Sequence, residues 1–152
     1  MTLDRRVKWD KRFLKLAEEV ASWSKDPSTK VGAIIVDKNN IVQGQGYNGF
    51  PRGVRDLPER YENRELKLKY TVHAELNSIL NAKKTENCRI YVWPTLMKPD
   101  ACPECAKAIV QSGINEIVYY DTKELSSRWE ELSEISRTIF DEAGVRRRAI
   151  NE

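Results

Sequence analysis

Apolar positions in the first part of the chain change period partway along. Phe13, Leu14, Leu16, Ala17, Val20 and Trp23 recur at helical spacing, and Asp10 ahead of them has the side chain of an N-cap, so a first helix is expected to start there. Pro27 disfavours helix at Asp26, which ends the run. Residues 31–36 and 41–46 then read as strands, and Asp37-Lys38-Asn39-Asn40 between them has turn composition, predicting a β-hairpin. Residues 47–69 are polar and carry Gly49, Pro51, Gly53 and Pro58; they read as a loop, and a loop of that length inside a domain is more often functional than idle. Beyond it the pattern predicts a helix over 72–82 that buries Leu76, Ile79 and Leu80, and a strand over Arg89–Trp93. A helix over 103–112 stopped by Gly113 and a strand over Glu116–Tyr120 come next. Leu125, Trp129, Leu132, Ile135, Ile139 and Phe140 mark a last amphipathic helix ending at Gly144. The order α-β-β-α-β-α-β-α predicts an α/β fold, and the hairpin makes its sheet mixed.

Composition narrows the class. At 152 residues, 40% hydrophobic and 32% charged, the chain is expected to form one domain over 1–152 with its own core. Net charge is +3, from 26 basic and 23 acidic residues, which argues against a nucleic-acid partner or a polybasic membrane anchor. Arg146-Arg147-Arg148 reads as a solvated tail. No apolar stretch has the length to span a bilayer, and the N-terminus has charge without the apolar region of a secretory signal. Three cysteines cannot all pair, so a reducing, cytoplasmic setting is expected. Cys88 reads as a buried small apolar residue, and Trp9, Trp23, Trp93 and Trp129 as core rather than stacking platforms.

The chemistry is concentrated in two short motifs. The sole histidine, His73, lies two residues before Glu75, and Cys102-Pro103-Glu104-Cys105 follows twenty-nine residues later. A structural zinc site closes with four protein ligands, whereas a catalytic one keeps a position open for water. His73, Cys102 and Cys105 make three ligands, and Glu75 is an acid/base beside the gap. Both motifs fall at predicted helix starts, where the dipole favours thiolate. Two alternatives stand: a Cys-x-x-Cys redox pair, which leaves His73 unexplained, and a structural zinc module in which Cys88 is the fourth ligand. Asn48, between Gly46 and Gly49, has the character of a turn residue on its own.

His73-Ala74-Glu75 with Cys102-Pro103-Glu104-Cys105 resembles the zinc-dependent cytidine and deoxycytidylate deaminase superfamily, whose H-x-E and P-C-x-x-C signature is a recorded one. The likeness extends to 24–33, 46–53, 72–77 and 105–114, within a span from Trp9 to Gly144. It implies a three-layer α/β/α fold with a mixed sheet of about five strands, and hydrolytic deamination of dCMP to dUMP, the precursor for dTMP synthesis. It also implies Zn²⁺ on His73, Cys102 and Cys105, with Glu75 as proton shuttle. Ala74 would hold the pyrimidine carbonyl through its N–H, Asn48 the sugar, and Ser24 and Lys25 would contact the substrate near its phosphate. Lys30, Tyr47, Gly49 and Arg52 are candidates for phosphate or regulatory-nucleotide contacts. The resemblance further implies a homohexamer, with dCTP as activator and dTTP as inhibitor, bound with Mg²⁺. Other cytosine substrates (cytidine, CMP or nucleic acid) are the alternative. One departure is visible: the family has proline directly before the first metal cysteine, where this chain has Ala101, with the proline at Pro99 and a longer segment from Trp93.

Overall fold

The computed structural model describes residues 2–96, 101–122 and 130–152. The elements run α1 (Leu3–Ala21), β1 (Gly32–Val36), β2 (Val42–Tyr47), α2 (Pro58–Glu62), α3 (Arg64–Tyr70), α4 (Ala74–Asn81), β3 (Arg89–Trp93), α5 (Pro103–Gln111), β4 (Glu116–Tyr120), α6 (Glu130–Ala143) and β5 (Arg146–Ile150). Five strands form one sheet in the order β2-β1-β3-β4-β5. β1 is antiparallel to both β2 and β3, whereas β3, β4 and β5 are parallel. The expected hairpin and mixed sheet are present.

Strands buried on both faces lose polar alternation, which is why β1, β3 and β4 read as apolar runs. Ile34, Val36, Tyr91 and Val118 point to the side covered by α1 through Phe13, Leu14, Ala17 and Val20. Ala33, Ile35, Ile90, Val92 and Ile117 point to the other side, against Ala74 of α4, Ala106 and Ile109 of α5, and Phe140 of α6. The result is helix, sheet and helix in three layers.

Several expectations are corrected. Thr2 caps α1 by accepting from the Arg5 N–H at 3.3 Å, and Asp10 lies fully buried inside that helix. Asp10 is held there by Arg148, whose two guanidinium nitrogens donate at 2.7 and 2.9 Å, and by the Tyr91 hydroxyl at 2.5 Å. A capping preference yields here to a charge partner 138 residues away. The basic run is therefore no solvated tail. It is β5, parallel to β4, with Arg146 and Arg148 paired to the buried Glu116. Burial pushes the Glu116 carboxyl up, but Arg148, Arg146 and Arg6 outweigh it and hold the group below its ordinary value.

Residues 47–69 are not one loop, because α2 and most of α3 form within them. Leu76 and Leu80 are exposed rather than buried; α4 turns Ala74, Glu75 and Ser78 inward instead. In α6 the inward positions are Ser133, Ser136 and Phe140, while Leu132 and Ile135 are exposed. Leu125 and Trp129 lie outside the described residues. Trp9 and Trp93 pack against the core, and Trp23 is half exposed. Cys88 is buried as expected.

Small residues decide where α4 sits. A Cβ on Gly46 would lie 2.4 Å from the Ser78 nitrogen and 2.8 Å from the Ala74 oxygen; one on Gly44 would lie 2.6 Å from the Ser78 oxygen. β2 therefore lets the α4 backbone approach closer than any side chain permits. Gly46→Ala should push α4 off the sheet and cost about 1–3 kcal/mol in urea unfolding, as overpacking does. An unfolding midpoint equal to the parent's would contradict this account of the packing.

Candidate active site

β2 and β3 both run antiparallel to β1, so their C-terminal ends emerge at the same edge of the sheet. α4 and α5 begin at that edge. His73 is the N-cap residue of α4 and Cys102 that of α5, each with extended backbone, so both motifs are presented by a first helical turn. The Cys102 sulfur accepts from the Cys105 N–H at 3.5 Å, which ties the two cysteines across that turn.

His73 Nδ1 lies 3.4 Å from the sulfurs of both Cys102 and Cys105. The donor atoms of all three residues lie within 4.8 Å of one another, the one group of at least three histidine, cysteine or acidic side chains so gathered among the described residues. Zinc–sulfur and zinc–nitrogen bonds of about 2.3 and 2.05 Å at a tetrahedral angle separate S and N by about 3.6 Å. The observed spacing thus fits one zinc ion, and the S₂N donor set suits it chemically. Cys88 stands apart, its sulfur 3.7 Å from the carbonyls of Lys84 and Glu86.

The protonation pattern points the same way. The hydrogen bond from Cys105 first, then His73, lowers the Cys102 thiol to about 4, while Cys105 beside it is pushed up by that bond and by burial. One negative sulfur is favoured, and a second requires a cation. His73 is raised, chiefly by Cys102 and against burial. Glu75 is 7% exposed and its carboxyl is raised by burial foremost, with His73 opposing. The group is therefore a buried carboxyl next to the three donors.

A cleft of about 210 Å³ opens on this group, with His73, Ala74, Glu75, Cys102 and Asn48 among its walls. Asn48 is fixed on both sides: its Oδ1 accepts from the Val31 N–H at 2.8 Å, and its Nδ2 donates to the Thr29 carbonyl at 2.9 Å. Ser24 does not line the cleft. It is buried, and its hydroxyl donates to the Asn48 carbonyl at 2.8 Å. Lys25 is exposed and paired with Asp56 at 2.7 Å. Lys30 borders a neighbouring recess with Ser22 and Trp93. Tyr47 meets Trp23 edge-on with centroids 6.2 Å apart, Gly49 pairs its backbone with Val72, and Arg52 donates to Asn81 at 3.1 Å. Ala101 is buried and its carbonyl accepts from the Ser136 hydroxyl at 2.9 Å, while Pro99 lies outside the described residues.

Reading the sequence alone missed α3. Arg64, Lys67, Leu68 and Thr71 all line the cleft. Their i, i+3, i+4, i+7 spacing is a helical stripe, the signal that could have located the helix. Lys67 is 5% exposed, and its ammonium lies 3.1 Å from Asp26 Oδ1 and 2.8 Å from the Ser28 hydroxyl. Burial pushes Asp26 up, but the N–H groups of Thr29 and Ser28, with Lys67, hold it below its ordinary value.

A three-layer α/β/α fold that gathers two cysteines and a histidine able to hold a metal ion, beside a buried glutamate at a cleft, defines the class of site. The family model for the cytidine and deoxycytidylate deaminase zinc-binding region matches residues 7–121, and the chain belongs to that family. It is 47% identical over 140 residues to an uncharacterized deaminase in the luxG 3′ region of Aliivibrio fischeri, covering 91% of this chain and 90% of that one. It is 40% identical over 149 residues to deoxycytidylate deaminase of Homo sapiens, covering 93% of this chain and 79% of that one. The crystal structure of dCMP deaminase from the cyanophage S-TIM5 in complex with dCMP and dUMP shares the fold, with TM-score 0.70, 22% identity and 99% of each chain covered. No helix among the described residues is long and apolar enough to cross a membrane.

The donor geometry predicts the metal content. Cys88→Ala should keep one zinc per chain by elemental analysis, whereas His73→Ala, Cys102→Ala and Cys105→Ala should each lose most of it. Zinc loss in Cys88→Ala would return the fourth-ligand alternative.

Proposed function

We propose that this chain, as a single deaminase domain over 1–152, converts dCMP and water to dUMP and ammonia. The observation that carries the reading is the buried Glu75 at the cleft wall beside His73 and Cys102; the 40% identity to a deoxycytidylate deaminase over most of the chain supports the substrate.

His73, Cys102 and Cys105 would hold Zn²⁺, which when bound supplies a Lewis acid that makes a water acidic. Glu75 takes the proton that the water gives up and passes it to N3 of the cytosine ring as the water oxygen adds at C4. It then takes the second proton, from the hydroxyl now on C4, and delivers it to the amino group as the C4–N bond breaks and the C4 carbonyl forms, so one water is consumed and one ammonia leaves. Its buried position suits this work, because burial raises the carboxyl above its ordinary value and makes it the stronger base and the readier carrier of a proton. The Ala74 N–H belongs to the first turn of α4, whose N–H groups have no helical acceptor, and it can hold the pyrimidine carbonyl. Asn48, clamped by Val31 and Thr29, presents its remaining amide hydrogen to the sugar.

Glu75→Gln should retain zinc and lower ammonia release from dCMP about 10³-fold. The parent should prefer dCMP in a panel with dCTP, CMP, deoxycytidine and single-stranded DNA. Zinc-loaded protein that releases ammonia from none of these would end the proposal.

Regulation is a separate part of the reading. Activation by dCTP and inhibition by dTTP in a homohexamer would appear as sigmoidal dCMP kinetics that dCTP makes hyperbolic. Hyperbolic kinetics indifferent to both triphosphates would remove regulation and leave the deamination untouched. A Mg²⁺ site gains no support among the described residues, where the His73 group is the one metal-sized cluster.

A further inference from the structure

We infer that Ser136 is a positioning residue for the metal donor Cys102: through the Ala101 carbonyl, α6 sets where that sulfur stands in the site. The inference rests on the zinc reading of the donor group and adds to it a residue outside both motifs. Ser136 is fully buried on the inward face of α6. A serine there has a lower helix propensity than alanine, and its buried hydroxyl must find a partner. The usual partner is a carbonyl in the preceding turn of the same helix. Ser78, Ser112 and Thr138 each donate to one, on Glu75, Ile109 and Glu134, at 2.7, 2.8 and 3.0 Å. Ser136 instead leaves its own helix and donates to the Ala101 carbonyl at 2.9 Å, across 35 residues of sequence.

The carbonyl it reaches adjoins the donor. The Ala101 oxygen and the Cys102 nitrogen belong to one planar peptide unit, so holding the oxygen fixes the direction in which Cys102 leaves it. On its other side Cys102 is held by α5, because its carbonyl accepts from the Ala106 N–H at 2.8 Å and its sulfur from the Cys105 N–H at 3.5 Å. Ser136 supplies the hold on the side where the chain arrives. The family's signature has proline at this place, and the proline ring restrains φ. Ala101 has no ring, and here a restraint comes from a neighbouring helix instead. Ala101 and Cys102 both line the cleft, so a shift of the peptide between them moves the donor and the cleft wall together.

The test sets zinc-loaded parent, Ser136→Ala and Ser133→Ala against a chromophoric chelator, and records the visible absorption of the same proteins after exchange to cobalt(II), whose bands report donor geometry. Ser133→Ala is the control, because it makes the same truncation on the same buried face of α6. Ser136→Ala should hold zinc about 10-fold more weakly than the parent, as when the supports around metal ligands are removed, and its cobalt bands should shift. Ser133→Ala should match the parent in both. Zinc affinity in Ser136→Ala equal to the parent's overturns the assignment. Equal losses in the two variants overturn it too, because they mark a general weakening of α6 rather than positioning. A parent that holds no zinc ends the metal reading itself and this inference with it, whereas one that holds zinc but releases no ammonia ends only the deamination.

Discussion

Gly32 of β1 lies opposite Tyr47 of β2 on one side and Trp93 of β3 on the other. Because both pairings are antiparallel, β2 and β3 end level with each other at the same edge of the sheet. After β3 the chain comes back to this edge as the first turn of α5, and after β2 it does so as the first turn of α4, once α2 and α3 have intervened. Two motifs separated by twenty-nine residues thereby meet with donor atoms 3.4 Å apart. A one-residue slip in either pairing would turn every side chain of that strand to the opposite face and move the helix that follows. Gly44 and Gly46 complete the constraint by admitting the α4 backbone against β2. β1 enters the sheet at this same edge, which is why Val31 can hold the Asn48 side chain beside the cleft.

Charge explains why such an arrangement needs a cation. Two thiols, an imidazole and a buried carboxyl share a small volume, and burial disfavours more than one negative charge among them. Cys102 takes that charge, Cys105 keeps its proton, and Glu75 is held toward its neutral form. A divalent ion on the three donors would draw the second thiolate out, since metal binding and ligand deprotonation are linked. The start of α5 favours the same outcome, because the Cys105 N–H donates to the Cys102 sulfur. Glu75, hydrogen-bonded with Cys105 at the cleft wall, is then the acidic group beside the donors that is not itself one of them.

Sequence pattern reached the site farther than it reached the frame. His73, Glu75, Cys102 and Cys105 are legible because ligand spacing is local: each pair falls within one helical turn. β1, β3 and β4 are legible because burial on both faces makes their sequences largely apolar, with Arg89 and Glu116 only at the strand starts. Asp10 and Arg146-Arg147-Arg148 are not, since an aspartate within a helix and a run of arginines acquire meaning only from each other and from Glu116. Leu76 and Leu80 mislead for a related reason. Helical periodicity says that a face exists, whereas the glycines of a distant strand decide which face turns inward. α3 was hidden by the prolines and glycines around it, although its cleft-lining stripe is present in the sequence.

The cleft therefore has walls of two kinds. Its reactive side is carried by α4 and α5, whose positions follow from the sheet register and from close backbone packing. Its other side is carried by α3, which belongs to the polar insertion and is fastened by few contacts. Phe50 stacks on Tyr61 with centroids 4.4 Å apart, Gly49 pairs with Val72, and Lys67 reaches Asp26 and Ser28. Those fastenings also tie α3 to residues 26–31, and through Thr29 and Val31 to Asn48. The two walls are adjacent in the chain, since α3 is capped at Thr71, two residues before His73. The Lys67–Asp26 pair is where the two are joined, since it links the wall that faces the substrate to the residues that orient Asn48.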